Sequence, residues 1–469
     1  MLKITYIPIL RKPLFAIIAL AAALASQTVV YAQASSANSM ESLLQQIAER
    51  LSRYEFDAAI ALFDTIPAPD RDSANVRVLE ASVLASAGKL SEAKTIVQAV
   101  SLRESNNTEA LYVLAMIEGA EGRIRQQQEA LEALIRIDPN HISGLVALGN
   151  VQLARRNLRE AAGRFRAVIT IEPANAEALL GMARLLRINQ EWDDAEVFFN
   201  RLIELHPHMA LAWNERARFM RVRGRLDNAL RDINEAKRLA PSDYWIAIDG
   251  GTILLDMDRR DDALVEFNRA VTINPNEFLG YVYTAGLKDN SGDLDGAEHD
   301  YAAMLRLKPD YHYAREGLGL HKMRRENWTE ARDILVEAFR QAPSEYHYAL
   351  LAGISWIRSG DLAGARTFLN QAMPKLTRDS LEWHMLRLYY DMTVRNYVGE
   401  TNLLRLVNEQ EDPILKARML FYMAVFYDIR GNTNAANRYF LMVHEMDKRA
   451  IPEWRLNSWI LASRNLPQP

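Results

Sequence analysis

Alanine recurs at 34-residue intervals along most of this chain. Ala59, Ala93, Ala161, Ala195, Ala229, Ala263, Ala297, Ala331 and Ala365 share one register, interrupted only by Gln127. A second column in the same phase is small: Ala81, Ala115, Gly149, Ala183, Ala217, Gly251, Ala285, Gly319 and Gly353. A third is large and apolar, running from Phe63, Val97 and Leu131 through Phe165, Phe199 and Phe267 to Leu335 and Leu369. Proline closes many units, at 139, 173, 207, 241, 275, 309 and 343. The phase holds without a gap from about residue 40 to 373. Such a period restricts the chain to a stack of like units, each touching its neighbours.

The columns describe one unit. The small residues lie on a first helix and the alanines on a second, where Gly or Ala permits close approach of the two backbones. A larger residue there overpacks the contact, at a cost of roughly 1–3 kcal/mol. The large apolar residue fills the space between one pair and the next. Gly88, Gly122, Gly224, Gly292 and Gly360 fall at the turn between helices, where a left-handed backbone suits glycine. Proline ends the second helix because it cannot continue one. Asp193-Asp194 and Asp261-Asp262 open second helices, where carboxylates favour the positive helix end. No segment of useful length carries a strand period.

This spacing resembles the tetratricopeptide repeat. Counted from Ala210, residues Trp213, Ala217, Gly224, Ala229 and Pro241 stand at motif places 4, 8, 15, 20 and 32. The resemblance covers ten repeats over 40–373 and implies an all-α, right-handed solenoid of helix pairs. Residues 374–469 read as degenerate units with an irregular helical cap. Trp383 and Tyr390 keep two places of an eleventh unit, and Ala424, Tyr427, Gly431, Ala436 and Phe440 return three residues out of phase. Ile451 to Arg464 reads as a last helix, with Leu456, Trp459 and Ile460 at core spacing.

The N-terminus reads as an address. Lys3, Arg11 and Lys12 precede an apolar run from Pro13 to Ala25, and small residues lead to Gln33. That is the pattern of an export signal cleaved near Ala32. The alternative is an uncleaved anchor, since Leu14 to Ala32 is long enough to cross a bilayer. Residues 33–39 read as a polar tether. The expected location is the periplasm or cell envelope, with membrane contact only through residues 13–32 if uncleaved.

Little in the chain points to chemistry. Of 469 residues, 49% are hydrophobic and 25% charged, as in folded proteins, and the net charge of −4 does not mark a nucleic-acid binder. Zero cysteines exclude disulfides, thiolate metal sites and the cysteine-ligated metal module of one related envelope adaptor. No phosphate loop, dinucleotide fingerprint or GxSxG elbow is present. His206-Pro207-His208 reads as a solvated turn. The expectation is therefore a non-enzymatic scaffold without cofactor or metal. The alternatives are a membrane-tethered adaptor for envelope biogenesis or secretion, and a substrate-recognition module of an enzyme complex.

The resemblance places binding on the concave face, at motif places 2, 5, 9 and 12 of the first helices. In repeats 4 to 6 these places imply a basic groove of Asn150, Arg184, Arg187, Asn214, Arg218 and Arg221. Its paired arginines are expected to face solvent and take carboxylates. Glu177, Glu215 and Asp249 lie nearby and give the opposite reading, a charge-mixed solvated face. Further along, Trp245, Tyr283, Tyr313 and Ile354 imply an apolar groove for an extended or helical segment. The expected partner is a protein or peptide with an acidic stretch beside an apolar one. The alternative for this half is that the C-terminal region folds back over it. The carboxylate clamp of some family members is absent. Asn150 matches its first asparagine, but Val146, Gly181, Leu211 and Glu215 stand at its other places.

Overall fold

A computed structural model describes residues 37–395 and 399–464. The export signal falls outside these residues. Among the described residues the chain forms 26 α-helices and no strand. The first begins at Ala37, inside the segment read as a tether.

From Ala74 to Ala372 the helices alternate in a strict rhythm. First helices such as Thr108–Ala120, Ile142–Ala154 and Ala176–Ile188 are followed by second helices such as Ile124–Ile137, Leu158–Ile171 and Trp192–Leu205. First helices are enclosed on most sides: Leu145, Val146, Leu148, Val151 and Leu153 of one helix are all buried. Second helices bury one stripe, as Ala161, Phe165 and Val168 do, and leave the rest in water. Asn107, His141 and Asn175 cap three successive first helices, and Asp243 a later one, by accepting backbone N–H bonds. Each such cap contributes about 1 kcal/mol. The prolines stand two residues beyond the second helices, as Pro139 follows Ile137 and Pro173 follows Ile171.

All nine alanines of the column are fully buried. The small column of the first helices is explained by the large one. A Cβ on Gly149 would meet the Phe165 ring at 2.7 Å, and one on Gly181, in the next first helix, would meet the same ring at 2.5 Å. Phe165 is thus held between two first helices. Gly251 faces Phe267 in the same way, Gly319 faces Leu335 and Gly353 faces Leu369. The exception at Gln127 has a local remedy, because its amide lies against Gly119, where any Cβ would collide with it.

The repeat is also written in the backbone. Tyr54, Gly88, Gly122, Arg156, Gln190, Gly224, Asp258, Gly292, Glu326 and Gly360 all have positive φ, from 56° to 88°. Each ends the turn between the two helices of a unit. Half of them are not glycine, so the left-handed turn is set by the stack and not by the residue. After Gly360 the interval stretches, to Arg395 and then Gly431.

The chain divides into two compact units, one ending at Arg223 and the other beginning at Gly224. In the second unit one continuous core runs from Leu320 through Tyr348 and Phe421 to Leu461. The last helix, Pro452–Ser463, buries Glu453, Leu456, Asn457 and Leu461. It packs on the first helix of repeat 9, His312–Arg324. Trp459 lies beside His321, with ring centroids 5.4 Å apart.

Candidate functional site

In the second unit the C-terminal region lies against the first helices of repeats 8 to 10. Arg455 donates to Asp289 at 2.8 Å, and Arg358 of repeat 10 pairs with Asp428. Arg418 approaches His347 at 3.4 Å and lies over the Tyr346 ring. Polar groups fill this contact as well as apolar ones. Asp289, almost wholly buried, also accepts from His321 Nε2 at 2.7 Å and from the Tyr301 hydroxyl at 2.6 Å. Burial alone would raise its carboxyl, but the bond from His321, the charge of Arg455 and the bond from Tyr301 outweigh it and hold it below the usual range. Glu316 is held low in the same way by His347. Tyr422 donates to the fully buried Glu453 at 2.7 Å.

These contacts change the reading of the apolar groove. Ile354 is 2% exposed and belongs to the core shared with the C-terminal helices, so it does not line an open groove. Tyr283 lies flat on Phe267, at 4.3 Å between centroids and 5° between planes, as packing of the solenoid. Trp245 is half-buried, edge-on to Tyr244 at 5.1 Å. Tyr313 alone of the four stands well in solvent, at 48%. Sequence reasoning missed Asp289, Arg455 and Glu453. Nothing in the 34-residue pattern marks a partnership between residues 166 apart.

Of the residues expected to form a basic groove in the first unit, Arg184, Arg187 and Arg218 come together around Glu215. Arg184 donates to Glu215 Oε1 at 2.6 Å from the neighbouring first helix, and Arg218 stands 3.5 Å from the same oxygen. Glu215 is buried. Its burial would raise the carboxyl, and the charges of Arg184, Arg218 and Arg187 hold it low instead. The expectation of solvent-facing arginines is therefore corrected for Arg184 and Arg218. They are half-buried and tied to an internal counter-ion. Arg187 shares the neighbourhood but makes no hydrogen bond or ion pair among the described residues. Burial lowers its guanidinium, Glu215 works against that, and the like charges of Arg218 and Arg184 add to it. Asn150 is exposed, Arg221 is half-buried and Asn214 is buried within its helix packing.

Acidic groups stand at the start of two first helices, Glu109 on Thr108–Ala120 and Glu177 on Ala176–Ile188. Glu109 faces His141 at 3.4 Å. Burial, then the charges of Glu177 and Glu109, push the Tyr112 phenol well above its ordinary value. Glu177 has no hydrogen-bond or ion-pair partner among the described residues. Solvent reaches its side chain, yet the surrounding protein raises its carboxyl. Among the described residues no group of three His, Asp or Glu is arranged to hold a metal ion. His206 instead bonds the Ala174 carbonyl at 2.6 Å.

Three family profiles, each described as tetratricopeptide repeat, match this chain. One matches 152–218, one matches 197–244, 285–335 and 317–377, and one matches 108–141. Several solved structures are similar. A tetratricopeptide repeat protein from Parabacteroides merdae is 18% identical over 52% of this chain and 96% of its own, with a TM-score of 0.44. YrrB, a TPR protein with an unusual peptide-binding site, is 24% identical over 40% of this chain and 95% of its own, with a TM-score of 0.34. The human IFIT1 dimer with m7Gppp-AAAA is 13% identical over 78% and 95%, with a TM-score of 0.42. No curated protein matches the sequence.

Proposed function

We propose that this chain, a tetratricopeptide repeat protein, is a non-enzymatic scaffold of the cell envelope that captures a partner segment on the concave face of repeats 4 to 6. The observation that carries this is the charge cluster around Glu215. Two guanidinium groups from adjacent first helices pair with one buried carboxylate and a third stands near it, which leaves cationic charge on a wall that solvent reaches. Such charge accepts carboxylates by paired hydrogen bonds. In the second unit the corresponding helices of repeats 8 to 10 already hold the chain's own C-terminal region, which favours the first unit as the binding half. The envelope location rests on the basic and apolar pattern of residues 1–32.

A photo-crosslinking residue at Asn150, on the concave face, tests the site in cells. Leu102, 88% exposed on a second helix, is the control position. Position 150 is expected to yield a partner adduct that Arg187→Glu diminishes, and position 102 none. Adducts at 102 alone would refute the reading. N-terminal sequencing tests the location: a chain starting at Gln33 is exported and released, and one retaining Leu14 to Ala32 is the tethered adaptor.

A further inference from the structure

Glu177 and Arg187 stand on one helix, Ala176–Ile188, with opposite charges, and neither makes a hydrogen bond or ion pair within the described residues. Ten residues at 1.5 Å each separate them by about 15 Å along the helix axis. They fall within one stripe, because places 2, 5, 9 and 12 recur on the same side of a 3.6-residue helix. Other groups stand at each end, from the helix Thr108–Ala120 two repeats before, from the same helix and from the next first helix, Ala210–Val222. Glu109 and the Tyr112 hydroxyl group lie toward Glu177, and Arg184 and Arg218 lie toward Arg187. The face is therefore bipolar across its width.

We infer that the concave face of repeats 3 to 6 takes an extended peptide segment bearing one acidic and one basic side chain four or five residues apart. The acidic group sits at Arg187 and the basic group at Glu177. The spacing follows from dividing about 15 Å by the ~3.3 Å that each residue of an extended chain covers. Charge complementarity selects this occupant over a uniformly acidic one, which Glu177 and Glu109 would repel. Glu215 explains why the basic edge keeps its shape without ligand, since it holds Arg184 and Arg218 in place. This inference rests on the peptide-binding reading above and adds the ligand's charge pattern.

The test is to pan a phage-displayed library of random dodecapeptides against the full chain and against two single variants, Glu177→Lys and Arg187→Glu. Glu177 is not ion-paired within the described residues, so Glu177→Lys is expected to keep the wild-type circular dichroism and thermal midpoint; Arg187→Glu is expected to keep the circular dichroism with a lowered midpoint, because it sets a like charge near the buried Glu215. The wild type is expected to enrich peptides with an acidic and a basic residue four or five positions apart, several-fold over other spacings. Glu177→Lys should lose the preference for the basic residue and keep that for the acidic one. Arg187→Glu should do the reverse. Enrichment with no preferred spacing, or a pattern unchanged in Glu177→Lys, overturns the inference and leaves the crosslink at position 150 to judge peptide binding itself. Enrichment of purely acidic peptides also overturns it. No enrichment at all, beside a crosslinked partner at position 150, shows that the face binds folded surface and not an extended segment.

Discussion

Arg455 reaches back 166 residues to donate to Asp289 at 2.8 Å. The bond joins the last helix to the first helix of repeat 8, and His321 and Tyr301 complete the set of donors around one buried carboxylate. Asp289→Ala leaves all three without their acceptor. It is expected to destabilise the protein by about 2–4 kcal/mol, as loss of one member of a buried charged network does. The denaturant midpoint checks this, and a change below ~0.5 kcal/mol would show that water replaces the carboxylate freely.

The same group sets a response to acid. Asp289, Glu316 and Glu215 are held below the ordinary carboxylate range when folded. In the unfolded chain they titrate near 3.9 for Asp and 4.3 for Glu. A depressed folded value contributes stability that is complete above the unfolded value and is lost as pH falls through the folded one. Thermal midpoints should therefore stay level from pH 7 to about 5 and fall steeply below about 4. Asp289→Asn should start lower at pH 7 and converge on the wild type in acid. Parallel curves at every pH would contradict this.

Arg184→Glu combined with Arg218→Glu should cost stability, and not merely binding. Both partners of the buried Glu215 would become carboxylates. A loss of about 3 kcal/mol or more is expected, since a buried charge is left uncompensated among like charges. Equilibrium unfolding of the double variant measures it. A fully stable double variant would mean that Glu215 takes up a proton at little cost.

Gln190 occupies the left-handed turn with φ of 64° and its side chain in solvent. Gln190→Gly should stabilise the protein by about 0.5–1 kcal/mol by relieving the Cβ clash that disfavours this backbone. A destabilised variant in the same unfolding measurement would indicate that the side chain contributes a contact worth more than the strain.

The sequence made the stack legible because each of its contacts is local and recurs. Phe165 meets Gly149 sixteen residues before it and Gly181 sixteen after, so periodicity alone reveals the contact. It also revealed the arginine rows, whose members stand 34 apart. The ion pair of Arg184 with Glu215 was hidden, because place 9 of one helix reaching place 6 of the next is a matter of side-chain length and burial, not of spacing. The C-terminal contact was hidden more deeply. Ile354 is apolar whether it lines an open groove or a closed core, and only the path of residues 413–463 decides which. The left-handed turns at Arg156, Asp258 and Glu326 were likewise silent, since those residues do not advertise positive φ.

The pairing of Arg455 with Asp289 limits how such a gene can grow. Repeat arrays lengthen by duplicating a unit, and each copy here adds 34 residues in phase. A copy inserted after Asp289 and before Arg455 would displace the last helix from its acceptor, leaving a buried carboxylate without its arginine. A copy inserted before Gly224 leaves that span of 166 residues untouched. Descendants of this chain that gain or lose repeats should do so in the first unit, while the count from Asp289 onward stays constant.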